Sequence, residues 1–146
     1  MHIYIGADHR GFQLKKLIQE YLIQKGYHVI DVGSYEYNEN DDYPDYAKKV
    51  ARGVAENFED NRGIVICGSG IGVSIVANRH KGIRAFIPLS VEHAVLARKH
   101  NDTNVIAFAA DFMNFDDIKS ILDVWLTTPF SCDVRHKRRI RAMDNI

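Results

Sequence analysis

A regular alternation of two kinds of segment constrains this chain more than anything else in it. Short β-branched apolar runs recur at Ile3-Tyr4-Ile5, Val29-Ile30-Asp31-Val32, Ile64-Val65-Ile66, Ile83-Arg84-Ala85-Phe86-Ile87 and Val105-Ile106-Ala107-Phe108. They are nearly continuous in apolar character, as strands covered on both faces are. Amphipathic stretches separate them. Leu14, Leu17, Ile18, Tyr21 and Leu22 stand at helical spacing, and Gly26 follows as a stop. Pro44 opens a second helix with the stripe Ala47, Val50, Ala51, Val54 and Ala55. Further helices are predicted over 71–78, 91–100, 116–126 and 135–143. Such alternation predicts an α/β fold, a three-layer αβα sandwich around a five-stranded parallel sheet with right-handed crossovers.

At 146 residues, with no repeat, linker or low-complexity segment, residues 1–146 are expected to form a single domain. A chain of this length buries about 68% of the surface it exposes when unfolded, enough for one sizeable core. Its 46% hydrophobic and 26% charged residues are those of a soluble globular protein. No apolar run approaches the roughly 18 residues of a membrane span. The opening MHIYIGADHR lacks the basic and long apolar segments of a secretory signal, so a cytoplasmic protein with no membrane partner is expected. Cys67 and Cys132 are too few for a disulfide framework or a four-cysteine zinc site.

The formal net charge of zero hides an asymmetry. Arg135, Lys137, Arg138, Arg139 and Arg141 place five positive charges in seven residues, which leaves 14 basic against 19 acidic side chains elsewhere. A nucleic-acid surface needs a wider basic footprint, so no such partner is expected. The cluster fits either a local anion site or a solvated basic helix. That last helix has few apolar positions and is expected to need a support.

In a parallel α/β sheet, ligands sit beyond the carboxyl ends of the strands. Polar and glycine-rich residues gather there. Cys67-Gly68-Ser69-Gly70-Ile71-Gly72 joins a strand to a helix, where backbone N–H groups and the helix field suit an anion. The same field makes Cys67 a better base or nucleophile, although a tight turn with an inert buried cysteine has the same pattern. The glycines do not form the dinucleotide fingerprint, no Lys-Ser/Thr pair completes a Walker loop, and Val73 stands where a cysteine phosphatase has arginine. A response regulator would end its third strand in aspartate, where this chain has Cys67. Asp8-His9 forms a carboxylate–imidazole pair after the first strand, and His100-Asn101-Asp102 ends the fourth helix. Arg135 and Arg139, four apart, share a helix face that suits a phosphate, and His100 alone is equally a helix cap. No donor cluster has metal spacing, so neither metal nor redox cofactor is expected. A thiol, an imidazole, an anion-binding turn and an arginine pair suit proton transfer on a small phosphorylated substrate.

These residues, taken in order, resemble the sugar-phosphate isomerase family that holds the type B ribose-5-phosphate isomerases and the galactose-6-phosphate isomerase subunits. The likeness runs through Gly6-Ala7-Asp8-His9-Arg10-Gly11, Val29-Ile30-Asp31-Val32-Gly33, Asp42-Tyr43-Pro44, Ile66 to Gly72 with Ala77-Asn78, His100-Asn101-Asp102-Thr103-Asn104-Val105, and Arg135-His136 with Arg139. The resemblance implies a Rossmann-like sandwich with the C-terminal helix at a homodimer interface, or in a dimer of dimers. It implies metal-free interconversion of ribose 5-phosphate and ribulose 5-phosphate through an enediolate, in the pentose phosphate pathway. Cys67 then moves the proton between C1 and C2. Amides of the 69–72 turn (Ser69, Gly70, Ile71 and Gly72, beside Gly68) hold the oxyanion together with the Ser69 hydroxyl. His100 opens the furanose ring with help from Asp8. Tyr43 and Asn101 match substrate contacts, while His9, Arg135 and Arg139 match phosphate contacts. His100 and the C-terminal arginines are expected to serve a neighbouring subunit's site.

Two positions depart from the family pattern. Ser69 stands where threonine is common and keeps the hydroxyl. Asp111 stands where many members carry a phosphate-contacting arginine, and a carboxylate there is expected to turn away or pair with a base, with Arg138 or Arg141 as candidates. The departure leaves room for another sugar phosphate, such as allose 6-, galactose 6- or erythrose 4-phosphate, or for a non-catalytic binding module.

Overall fold

The computed structural model describes residues 1–145. Strands β1 (Ile3–Ala7), β2 (Val29–Asp31), β3 (Arg62–Cys67), β4 (Ala85–Phe86) and β5 (Val105–Ala109) alternate with helices. The helices are α1 (Phe12–Gln24), α2 (Tyr43–Ala55), α3 (Ile71–Asn78), α4 (Val91–Asn101), α5 (Phe115–Thr127) and α6 (Val134–Asp144). The five strands form one parallel sheet in the order β2-β1-β3-β5-β4, as the alternation predicts.

Both faces of the sheet are covered because successive strand residues point to opposite sides. Ile64 and Ile66 join Ile18 and Leu22 of α1 and Ile118, Leu122 and Trp125 of α5 in one cluster. Val65 and Cys67 join Val50 and Val54 of α2 and Val73 and Ala77 of α3 in the other. The α1 stripe differs from its sequence pattern in two places. Leu17 is exposed, and Lys15 is fully buried instead. Lys15 Nζ lies 2.6 Å from both Asp31 carboxylate oxygens and donates to the Ser34 carbonyl at 2.7 Å, so its charge is matched where water is excluded. On α2, Ala55 is likewise exposed and falls outside the apolar stripe.

The 83–87 run pairs only at Ala85 and Phe86, because β4 is the sheet's outer edge. Asparagine side chains supply its missing partners. Asn78 Oδ1 accepts the Ala85 N–H at 2.7 Å, its Nδ2 donates to the Ala85 carbonyl at 2.9 Å, and Asn104 Oδ1 accepts the Arg84 N–H at 2.9 Å. The basic helix α6 finds its support within its own chain. His136 is buried with its ring centroid 4.3 Å from that of His100, and Arg84 reaches Asp144 at 3.4 Å.

From β1 the chain first moves outward to β2, then crosses back over β1 to β3. The crevice created by this reversal opens at the carboxyl ends of β1 and β3. Asp8 follows β1 there, and Cys67 ends β3.

Candidate active site

Cys67 is buried at the end of β3, and its Sγ accepts the Gly70 N–H at 3.2 Å. The chain turns sharply enough to do this because Gly70 adopts φ +72. A Cβ at Gly70 would also stand 3.3 Å from the Phe108 carbonyl, so the turn excludes side chains twice over. Helix α3 begins at the next residue, and its first amides have no acceptor within the helix. Those amide dipoles and the helix field favour negative charge at the turn. The Ile71 N–H is directed to Ser69 Oγ at 3.3 Å. Two of the four turn amides read from sequence as oxyanion donors, Gly70 and Ile71, are thus already engaged. Among the described residues, the Ser69 and Gly72 amides and the Ser69 hydroxyl proton are left for a ligand oxygen. Tyr43, in the first turn of α2, lays its ring over Gly72, where a Cβ would come within 2.6 Å of ring carbons.

Asp8 lies on the neighbouring strand's extension. Ala7 is in register with Ile66, so Asp8 stands opposite Cys67 at roughly one strand spacing, ~4.8 Å between backbones. Its Oδ1 accepts N–H groups from Arg10 at 3.0 Å and Gly11 at 3.1 Å. Burial raises the carboxyl's pKa above the ordinary range, and these amide bonds oppose the shift without cancelling it. A carboxyl held this way keeps its proton to higher pH than a solvated one. His9 follows. Its backbone N–H and Nδ1 both engage Asp41 Oδ1, at 3.0 and 2.7 Å, which fixes the ring and leaves Nε2 for a ligand.

Asp111 closes this edge. Its backbone N–H donates to the Gly68 carbonyl at 3.0 Å, and its Oδ2 accepts Arg10 Nε and Nη2 at 2.8 and 2.6 Å. Within the chain, its basic partner is therefore Arg10.

The remaining site residues lie elsewhere. Ala109 is in register with Cys67 at the carboxyl edge, whereas His100 precedes the start of β5 at the amino edge. Four strand steps separate the two edges, roughly 13 Å. Within one chain the structure brings together Cys67, Ser69, Gly68, Gly70, Ile71, Gly72, Asp8, His9 and Tyr43 but keeps His100, Asn101, Arg135 and Arg139 apart from them. His100, Arg135, His136 and Arg139 instead line a second cleft of about 830 Å³. Burial, then the neighbouring His100, lowers the His136 pKa below its ordinary value. Among the described residues, no group of three or more His, Cys, Asp or Glu is placed to hold a metal ion. Nor is any described helix long and apolar enough to cross a membrane.

Residues 3–143 match the family model described as Ribose/Galactose Isomerase. The chain belongs to that family. Ribose-5-phosphate isomerase B of Escherichia coli is 43% identical over 144 residues, covering 99% of this chain and 95% of that protein. A crystal structure of ribose-5-phosphate isomerase B from Mycoplasma genitalium with bound ribulose-5-phosphate superposes with a TM-score of 0.95 at 40% identity, covering 99% of this chain and 94% of that one. The Thermotoga maritima ribose 5-phosphate isomerase gives 0.93 at 43% identity, covering 99% and 98%.

Several residues in the stretches that resemble this isomerase family hold the frame. Asp102 accepts Arg98 Nη1 at 2.8 Å and Arg84 Nη2 at 3.1 Å, which ties the end of α4 to the β4 edge. Thr103 Oγ1 accepts the buried Trp125 Nε1–H at 3.0 Å. Asn104 Nδ2 donates to the Gly82 carbonyl at 2.7 Å. Arg10 and Asp41 are absent from the sequence reading of the site. Their partners are 101 and 32 residues away, so no local spacing announces them.

Proposed function

We propose that this chain, as a single domain, interconverts ribose 5-phosphate and ribulose 5-phosphate through an enediolate, with its own side chains carrying the protons. The observation that carries this reading is Cys67. A buried thiol with the Gly70 N–H aimed at its sulfur, beside Asp8 at the strand-order reversal, suits a base that takes a proton from one sugar carbon and returns it to the next. In this reading the C2 proton of the open aldose passes to Cys67 and then to C1, while the electron pair of the broken C–H bond spreads onto the carbonyl oxygen. Ser69 and the Gly72 amide hold that oxygen. Asp8 moves protons at the sugar hydroxyls, and Tyr43 packs against the substrate.

A second copy supplies the rest. His100 opens the furanose ring, Asn101 contacts the sugar, and Arg135 and Arg139 join His9 on the phosphate. A homodimer accounts for two otherwise isolated features. The cleft with His100 and Arg139 has no thiol, and the Ser69 side of the crevice opens on an apolar groove where Ile71, Leu89 and Phe112 are exposed. We place the enzyme in the cytoplasm and in the pentose phosphate pathway. A coupled assay of the purified protein on ribose 5-phosphate, run beside allose 6-, galactose 6- and erythrose 4-phosphate, tests the reading. Turnover with the highest kcat/KM on ribose 5-phosphate is expected. Absence of turnover on all four overturns it.

A further inference from the structure

We propose that Arg10 is a phosphate-binding residue of this site and that Asp111 is the residue that positions it. The proposal rests on the sugar-phosphate reading above. Arg10 follows Asp8 and His9, and its backbone N–H is tied to Asp8 Oδ1. Its side chain crosses the crevice edge to lie over Gly68, where a Cβ would meet Arg10 Nε at 2.8 Å and Cδ at 3.0 Å. The Asp111 carboxylate lies over the same glycine, its Oδ2 2.6 Å from that Cβ position, so a side chain at 68 would have to displace the pair. The guanidinium is thereby held over the same turn that carries Cys67 and Ser69.

The way it is held decides what it can still do. Asp111 takes Nε and one N–H of Nη2 through a single oxygen. A guanidinium has five N–H donors, so among the described residues the edge formed by Nη1 and the second N–H of Nη2 stays free. That edge matches two phosphate oxygens in a bidentate contact. The pair is also half-exposed, with side-chain exposures of 56% for Arg10 and 35% for Asp111, and ion pairs this wet contribute little to folding. A contact of small stability value that fixes a cation at the mouth of an anion site is accounted for by binding. It also accounts for the carboxylate at 111, which would repel a phosphate if it faced one alone. Here it orients the cation that meets the phosphate.

The test combines catalysis with a binding readout that needs no turnover. Arg10→Ala should raise KM for ribose 5-phosphate roughly 10–150-fold, the range for one charge-assisted contact, with kcat within a few-fold of wild type. It should weaken inorganic phosphate binding, measured by calorimetry, by a similar factor. Arg10→Lys keeps a charge but cannot hold Asp111 and phosphate on two edges, so it should fall between. Asp111→Asn should raise KM by less than Arg10→Ala. The exchange Arg10→Asp with Asp111→Arg returns a guanidinium to the same place and should recover most of the loss. Wild-type KM and phosphate affinity in Arg10→Ala overturn the proposal while leaving the isomerase reading standing. A wild-type protein that turns over no sugar phosphate, yet loses phosphate binding on Arg10→Ala, overturns the isomerase reading and supports Arg10.

Discussion

The two edges of the sheet are built by opposite means. At the carboxyl edge, Cys67, Gly70, Gly72 and Asp8 form a site mostly from backbone: positive φ, close approach and amides aimed at sulfur and carboxylate. At the amino edge, His100, Arg135, His136 and Arg139 form a cleft from long side chains on two helix surfaces. A backbone-built site holds its geometry to the precision of the strands beneath it. A cluster of cations on a terminal helix has no such anchor and gains its order from what it docks against. In the proposed reading, the fixed carboxyl edge carries proton transfer at carbon and the first phosphate contacts, and the amino edge of a second copy adds ring opening and further cations.

The largest expected effect tests whether the two edges belong to one site. Cys67→Ala should lower kcat by roughly 10²–10⁴-fold, the range for removing a general base, while Cys132→Ala, at an exposed position, changes it little. Mixing the Cys67→Ala protein with Arg135→Ala plus Arg139→Ala, after dissociation and reassociation, should restore activity towards roughly a quarter of wild type. Half the dimers are then mixed, and each has one site with all its parts. Continued inactivity of every mixture means that each site is built from one chain.

A substrate-dependent effect separates the chemistry of the two edges. His100→Ala should lose activity on ribose 5-phosphate, again within 10²–10⁴-fold, yet keep most of it on erythrose 4-phosphate, whose phosphorylated O4 cannot close a furanose. Equal losses on both sugars would move His100 from ring opening to the isomerisation step.

The smallest effect concerns stability at the carboxyl edge. Burial raises the Asp8 pKa, so the folded protein holds this proton more tightly than the unfolded chain does. Its contribution to stability is complete below the ordinary carboxyl value, about 3.9, and is lost as pH rises through the folded value. Asp8→Asn keeps the acceptor oxygen for Arg10 and Gly11 and removes the titration. The variant should therefore gain in Tm relative to wild type at pH 7, and that advantage should shrink at pH 4. Thermal unfolding at the two pH values checks the sign, and an advantage that grows in acid contradicts it.

Much of this protein is legible along the chain because its causes are local. Alternating apolar runs and helical stripes specify five strands and six helices. The strand-to-helix glycine turn marks Cys67, and the carboxyl-edge rule points to Asp8 and His9. Where burial depends on what lies opposite, the pattern misleads: Leu17 is exposed and Lys15 buried because Asp31 and Ser34 sit across from α1. The strand order, which sets Asp8 beside Cys67, follows from how the crossovers pack and not from any single segment, whereas His100 falls at the amino edge simply because it ends the helix before β5. The partners of charged side chains belong to the same class. Arg10 meets Asp111 across 101 residues, and His9 meets Asp41 across 32, because ion pairs form between neighbours in space and leave no period in sequence. Local patterns in the chain determined its elements and its thiol, and tertiary packing alone decided which cations stand around that thiol.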